Sequence, residues 1–294
     1  MIKEALATAL SPIISASPED SLQLIDNFET ADVLFFQSYF DKLPLITFSE
    51  NNSINGAVHI KTPIGDGAFA SVFKNEKNPF VYKIIKNIWA KKAQMEFLKP
   101  VFREVVIQTL LQSDERYGHR ICRIYKLYRT ATSLVLQLEP LECTLDERIE
   151  SQIEMNSNIS SNSDFVSMLI REIYTFLTHF ESTYGFYHSD LHKENVMTVR
   201  SGDPLSCLKL IDFGQSYVNF EGVKIGQDLA FRFADIKGIL TYFYYVSIMD
   251  DVFSVKLTTL LKQYHDKRIT AEQFMSTLQK GGKRRSTLRS KRRK

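Results

Sequence analysis

The spacing of apolar residues changes character near residue 57. Before it, the spacing is helical. The opening stretch MIKEALATALSPIISAS resembles a secretory leader, but Glu4, Pro12 and its modest hydrophobicity predict a short amphipathic helix instead. Ser17-Pro18-Glu19-Asp20 reads as a second helix start, with apolar residues following through Phe40. A turn-rich patch, Glu50 to Gly56, closes this extension. From Ala57, short alternating runs at 57–64, 69–74 and 80–86 predict consecutive antiparallel strands. A helical stretch from about Asn87 to Gln112 is interrupted by Pro100, and strand-like runs return at Ile121–Tyr128 and Ser133–Leu138. Helices dominate thereafter, with the Ser/Asn-rich residues 156–163 predicted as a surface loop. The pattern predicts an α+β fold in two lobes with a cleft between them: a β-rich N-lobe over 56–139 and a helical C-lobe over 140–279. A helical extension (1–55) precedes them and a disordered tail (280–294) follows.

Charge sharpens the last boundary. Of the 37 Lys and Arg residues, nine lie in KGGKRRSTLRSKRRK at 280–294, which leaves 28 basic against 34 acidic residues in the rest of the chain. The basicity therefore belongs to the appendage, a candidate for nuclear localisation or nonspecific nucleic-acid contact. Hydrophobic content of 44% across 294 residues supports a packed core rather than a disordered chain. Three scattered cysteines, Cys122, Cys143 and Cys207, make neither a disulfide framework nor a metal spacing and suit a reducing, intracellular compartment, cytoplasm or nucleus. The longest apolar run, Ile239 to Met249, is too short to span a bilayer, so no transmembrane segment is expected.

Four separated segments carry candidate chemistry. In Ile64-Gly-Asp-Gly-Ala-Phe-Ala-Ser-Val72, Gly65 and Gly67 permit a tight turn whose N–H groups approach phosphate oxygens. Ala70 stands where the third glycine of such a loop is usual. In Phe80-Val-Tyr-Lys-Ile-Ile85, Lys83 lies on a strand as a point charge for phosphates. Its direction requires a carboxylate, and Glu104 in the following helix is favoured over Glu96, which has a more polar setting. In Tyr187-His-Ser-Asp-Leu-His-Lys-Glu-Asn195, Asp190 is placed to orient an attacking hydroxyl and Asn195 offers an amide oxygen to magnesium. The His188/His192 pair lacks the further ligands a metal site would need. In Leu208-Lys-Leu-Ile-Asp-Phe-Gly214, a buried strand delivers Asp212, a carboxylate suited to a hard cation, and Gly214 lets the chain turn away.

Together these residues resemble the protein kinase superfamily over about residues 57–250. The resemblance implies ATP and Mg2+ as cofactors and a protein substrate. Nucleotide contacts are implied at Ile64, Gly65, Gly67, Val72 and Lys83, and catalytic roles for Lys83, Glu104 and Asp190. Asn195 and Asp212 take the place of the metal ligands, Leu136 that of the residue behind the adenine pocket, and Gln137 to Glu139 that of the interlobe hinge. Asp235, or alternatively Asp228, resembles the aspartate that braces the catalytic loop. Departures are also informative. Ser189 replaces the arginine that commonly receives a phosphorylated activation loop, and His192 stands where a lysine is usual. Lys193 beside it should point elsewhere. No A-P-E sequence follows Asp212-Phe-Gly214, so the activation segment should be short and fixed.

Asp190-Leu-His192 and this short segment resemble the atypical, haspin-type kinases, although that group usually departs from D-F-G. A basic, glycine-led terminus is common in proteins of large DNA viruses and raises a viral origin, with virion or host cell as the location. Serine/threonine protein phosphorylation is the leading expectation. Small-molecule phosphotransfer of the aminoglycoside or choline type is the alternative, and an ATP-binding pseudokinase scaffold is the third.

Overall fold

Amphipathic spacing organises the first 42 residues into three helices. In α1 (Ile2–Ile14), Leu6, Ala7, Leu10, Ile13 and Ile14 are buried along one stripe. α2 (Pro18–Asn27) is opened by Ser17, whose hydroxyl accepts from the Asp20 N–H at 3.0 Å, with Pro18 in the first turn where a missing N–H costs least. Asp32 caps α3 (Val33–Lys42) in the same way through the Phe35 N–H, and Phe36, Tyr39 and Phe40 are buried. The computed structural model describes residues 1–49, 58–66, 70–75, 79–85, 94–155, 159–199, 208–226, 235, 251–266 and 268–280.

The sheet follows from β-branched and aromatic alternation. Its six strands are β1 (Phe48–Ser49), β2 (Val58–Asp66), β3 (Ala70–Asn75), β4 (Val81–Ile85), β5 (Ile124–Arg129) and β6 (Leu134–Leu138). Their order is β1-β2-β3-β4-β6-β5, antiparallel except for β1 on β2. On one face Tyr82, Ile84 and Val135 form a buried cluster with Phe48, Phe73 and Tyr128 packed on it. Residues 44–49 lie along both edges of the sheet. Ile46 N–H bonds the Arg129 carbonyl at 2.9 Å and Arg129 N–H bonds the Pro44 carbonyl at 3.0 Å, while Phe48 and Ser49 pair with β2.

Between β4 and β5 runs α4 (Gln94–Gln112), which continues through Pro100 rather than being interrupted there. The lost hydrogen bond is offset by burial of Leu98, Val101, Phe102, Val105 and Val106. Phe102 packs against Phe36 and Tyr39 of α3, with centroids 5.8 and 6.3 Å away.

The remaining elements are mostly helical. β7 (Cys143–Thr144) leads into α5 (Leu145–Met155) and α6 (Ile159–Tyr184). α6 begins earlier than expected: residues 159–163, read as loop from their Ser/Asn content, are helical. Downstream, Val166, Leu169, Ile170, Ile173, Phe176, Leu177, Phe180 and Tyr184 are buried at helical spacing, and this apolar stripe carries the polar first turn along with it. Short strands β8 (Val196–Thr198), β9 (Leu208–Leu210), β10 (Val218–Phe220) and β11 (Val223–Ile225) follow, then α7 (Asp251–His265) and α8 (Ala271–Lys280). β7 pairs antiparallel with β8, and Tyr264 of α7 packs on Phe274 of α8 at 5.8 Å. The fold is α+β, a β-sheet N-lobe followed by a helical C-lobe.

By contacts the chain divides into two units. One comprises Met1–Glu142, Phe180–His188 and Lys209–Leu229; the other comprises Cys143–His179, Ser189–Leu208 and Ala230–Lys294. Among the described residues no helix is long and apolar enough to cross a membrane. Gly67, Cys207, Asp228, the run Ile239 to Met249 and residues 281–294 lie outside the described residues.

Candidate active site

Strand register places the first group of candidates in one row. Gly65 pairs with Val72, Val72 with Lys83, and Lys83 with Leu136, so successive strands put these four residues on one face of the sheet. Ile64, next to Gly65, is 60% exposed. Lys83 Nζ lies 2.7 Å from Glu104 Oε1 and 3.6 Å from Asp212 Oδ1. The Lys83 and Glu104 side chains are only 17% and 7% exposed.

Two carboxylates thus share one ammonium. Burial works against the Lys83 charge, but Glu104 and Asp212 outweigh it and hold its pKa above the usual lysine value. Burial pushes the Glu104 carboxyl up. Lys83 draws it back, and the nearby Asp212 charge adds to the rise.

Asp212 is positioned by what surrounds it in the chain. Leu208 and Leu210 are buried in β9, and the Leu210 carbonyl accepts from Cys122 N–H at 3.0 Å. Phe213 is fully buried, 6.1 Å from the Phe186 ring and 5.4 Å from that of His188. His188 Nε2 lies 2.9 Å from the Ile211 carbonyl, and Ser216 Oγ donates to the His188 carbonyl at 3.0 Å. His188 is therefore a packing and anchoring residue. With its flanks held, Asp212 adopts φ +60° and keeps its side chain half exposed. Arg103 Nη1 donates to the Gly214 carbonyl at 3.3 Å.

The second unit holds the other two candidates. Ser189, at φ +67°, donates its N–H to Asp235 Oδ1 at 2.8 Å, and Asp235 is buried. Asn195 Nδ2 donates to the Asp190 carbonyl at 2.9 Å and lies 3.1 Å from His192 Nε2. An amide whose nitrogen is held inside the loop presents its oxygen on the other side. Lys193 is ion-paired with Asp146, and the Asp190 side chain is exposed.

Gln137 and Glu139 lie at and just beyond the end of β6. Gln137 lies inside β6, between Tyr82 of β4 and Lys126 of β5. Its side chain bonds Tyr82 Oη at 3.2 Å and accepts from Tyr128 Oη at 3.3 Å, on the face opposite Lys83. Gln137 is thus part of strand β6, with its side chain turned away from Lys83. The strand ends at Leu138, which pairs with Val81 on the Lys83 face. Glu139 begins the connection, with its N–H on the Arg123 carbonyl at 2.9 Å and its carboxylate on Lys209 at 2.9 Å. The end of the strand at Leu138 is where the apolar run Ser133–Leu138 predicts it.

Two carboxylates escaped the sequence reading altogether. Glu221, at the tip of the β10–β11 hairpin, accepts from the Ile2 and Lys3 N–H groups at 3.0 Å each. These amides draw its pKa down to about 2. Glu29, in the turn after α2, bonds Gly226 N–H at 2.8 Å and Lys99 Nζ at 2.9 Å. Their partners lie 219 and 197 residues away, and no local motif announces them.

Comparison with known proteins adds an independent line. The family described as the protein kinase domain matches residues 58–228. No curated protein matches the chain. Among solved structures, the PF14_0431 kinase domain is similar at 22% identity and a TM-score of 0.43, covering 60% of this chain and 56% of its own. The BubR1 kinase domain is similar at 21% identity and a TM-score of 0.45, covering 66% and 60%. The chain thus spans less than two thirds of the length of either structure.

Proposed function

Because the chain belongs to the protein kinase domain family, we propose that it transfers the γ-phosphoryl group of ATP, with magnesium, to serine and threonine hydroxyls of a protein substrate. The observation that carries this reading is Lys83 held between Glu104 and Asp212 at 2.7 and 3.6 Å. A buried ammonium oriented by a buried carboxylate is a fixed positive charge, aimed without reorganisation at the moment of transfer.

The donor chemistry fits the implied cofactors. Asp212 offers a half-exposed carboxylate and Asn195 an amide oxygen, each a hard oxygen donor of the kind a magnesium ion takes. When bound, magnesium–ATP supplies the phosphoryl group and the positive charge that offsets its oxygens. Lys83 contributes the protein's own charge toward the phosphates, and Gly65 keeps the facing strand free of a side chain. Asp190 orients the attacking hydroxyl and takes its proton on the carboxylate. Asp235 holds the Ser189 backbone, and Asn195 the Asp190 carbonyl, so the loop carrying Asp190 is fixed from both sides.

Asp190-Leu-His192 and the hairpin directly after Asp212 support a place among the atypical, haspin-like kinases. α5 ends at Met155 and α6 starts at Ile159, which leaves little chain between them for the helical pocket of a small-molecule phosphotransferase. Full-length protein incubated with magnesium and labelled ATP should label protein acceptors on serine and threonine, and Asp190→Asn should lower the rate about 10³-fold. Label found only in small molecules, or equal labelling by Asp190→Asn, would overturn the reading.

A further inference from the structure

The proposed transfer needs Lys83, Glu104 and Asp212 to stay together, yet two of them sit on elements that could move apart. Glu104 rides on α4, and Asp212 begins the segment that turns into the β10–β11 hairpin. Glu29 touches both. Its Oε1 accepts from the Gly226 N–H at 2.8 Å, and its Oε2 pairs with Lys99 of α4 at 2.9 Å. The Lys99 ammonium also donates to the Glu29 carbonyl at 3.0 Å; with side chains 17% and 38% exposed the pair lies at the surface, and its weight comes from the three bonds Glu29 makes together rather than from burial.

Each end of the bridge is itself rigid. Gly226 has φ +99°, and a Cβ there would lie 2.3 Å from the Ser216 carbonyl oxygen. Its backbone is therefore seated against the chain three residues beyond Phe213, and a bond to its N–H holds that chain too. On the other side Lys99 lies just over one turn before Glu104, on a helix whose Phe102 is packed by Phe36 and Tyr39. A second contact holds the hairpin tip, where the Glu221 carboxylate caps the first turn of α1 through the Ile2 and Lys3 amides.

We propose that Glu29 is a positioning residue, a carboxylate supplied by the N-terminal extension that ties α4 to the segment following Asp212, so that the site is held without phosphorylation of that segment. Glu221 seconds it by fastening the hairpin tip to α1. The inference rests on the phosphoryl-transfer reading above for its consequence, but not for the tie itself.

The test uses the full chain as wild type, Glu29→Gln and Glu221→Gln, with kinetics, amide hydrogen exchange and thermal midpoints measured together. Glu29→Gln keeps the shape but loses the charge that serves Lys99 and Gly226 together. It should lower kcat about tenfold with little change in KM for ATP, since the loss is one of alignment. Exchange at Gly226 should quicken about tenfold while the midpoint moves little. Glu221→Gln should quicken exchange at residues 2 and 3 and lower kcat about threefold, a smaller loss of alignment.

A lower midpoint with kcat per folded molecule unchanged would overturn the positioning role, as would faster Gly226 exchange at wild-type kcat. Unchanged Gly226 exchange would overturn the tie. If the wild type transfers no phosphate at all, the function reading fails by itself. The tie is then judged on exchange alone: faster exchange at Gly226 and over residues 99–104 in Glu29→Gln supports it, and unchanged exchange at Gly226 overturns it.

Discussion

Lys83→Met should lower kcat/KM for phosphoryl transfer about 10³-fold and destabilise the folded chain by about 3 kcal/mol. The first effect is loss of the cation held against Glu104 and Asp212. The second has a different origin. Glu104 is 7% exposed, and without Lys83 its carboxylate is a buried charge that has lost its cation partner. Burial already pushes its pKa up, and removing Lys83 takes away the main opposing influence. A carboxyl whose folded pKa lies above its unfolded value penalises the fold while ionised and is relieved as pH falls through the folded pKa. The stability deficit of Lys83→Met should therefore shrink on acidification, whereas turnover should stay lost at every pH. The double substitution Lys83→Met/Glu104→Gln should recover most of the stability and none of the activity. Urea denaturation across pH, beside steady-state kinetics, separates the two. A deficit that does not depend on pH would show that Glu104 does not ionise in the variant.

Asp212→Asn should also lower turnover about 10³-fold, but without a stability cost. Its backbone sits at φ +60°, and asparagine tolerates the left-handed region better than other non-glycine residues, so the substitution leaves the turn intact. It removes a negative charge that contributes to the raised pKa of Glu104 and, with it, one of the two carboxylates that support the Lys83 charge; the two effects oppose, so the thermal midpoint should move little. What is lost is the charged oxygen donor for the cation. The magnesium dependence of any residual activity should shift to higher concentration, and stabilisation by magnesium–ATP should shrink toward that given by ATP with chelator. Equal magnesium dependence in variant and wild type would remove Asp212 from the metal role.

Much of this architecture is readable from local pattern. Phe80 to Ile85 alternates, so both the strand and the side of Lys83 follow from period two, and register then aligns Gly65, Val72 and Leu136 with it. Ser17-Pro18 opens α2 through capping chemistry that is itself local. Glu104 was distinguishable from Glu96 because apolar neighbours at 102, 105 and 106 marked its turn as buried. What local pattern misreads is decided elsewhere in the fold. Pro100 stays helical because of what packs on Phe102, and residues 159–163 because of the stripe that begins at Val166. Glu29 and Glu221 are ordinary surface-type residues until the chain returns, some two hundred positions later, with backbone amides and a hairpin for them to hold.

Residues 44–49 carry one more consequence. An open sheet edge is a row of unmet donors and acceptors, the template on which chains pair with one another. Here the same short stretch hydrogen-bonds β5 at one edge and pairs with β2 at the other. A chain in which only residues 44–49 were replaced by a flexible linker would keep every residue proposed for chemistry or positioning, yet it would bare both edges at once. The linker after α3 thus guards against self-association, and solubility, rather than catalysis, is what its removal would cost first.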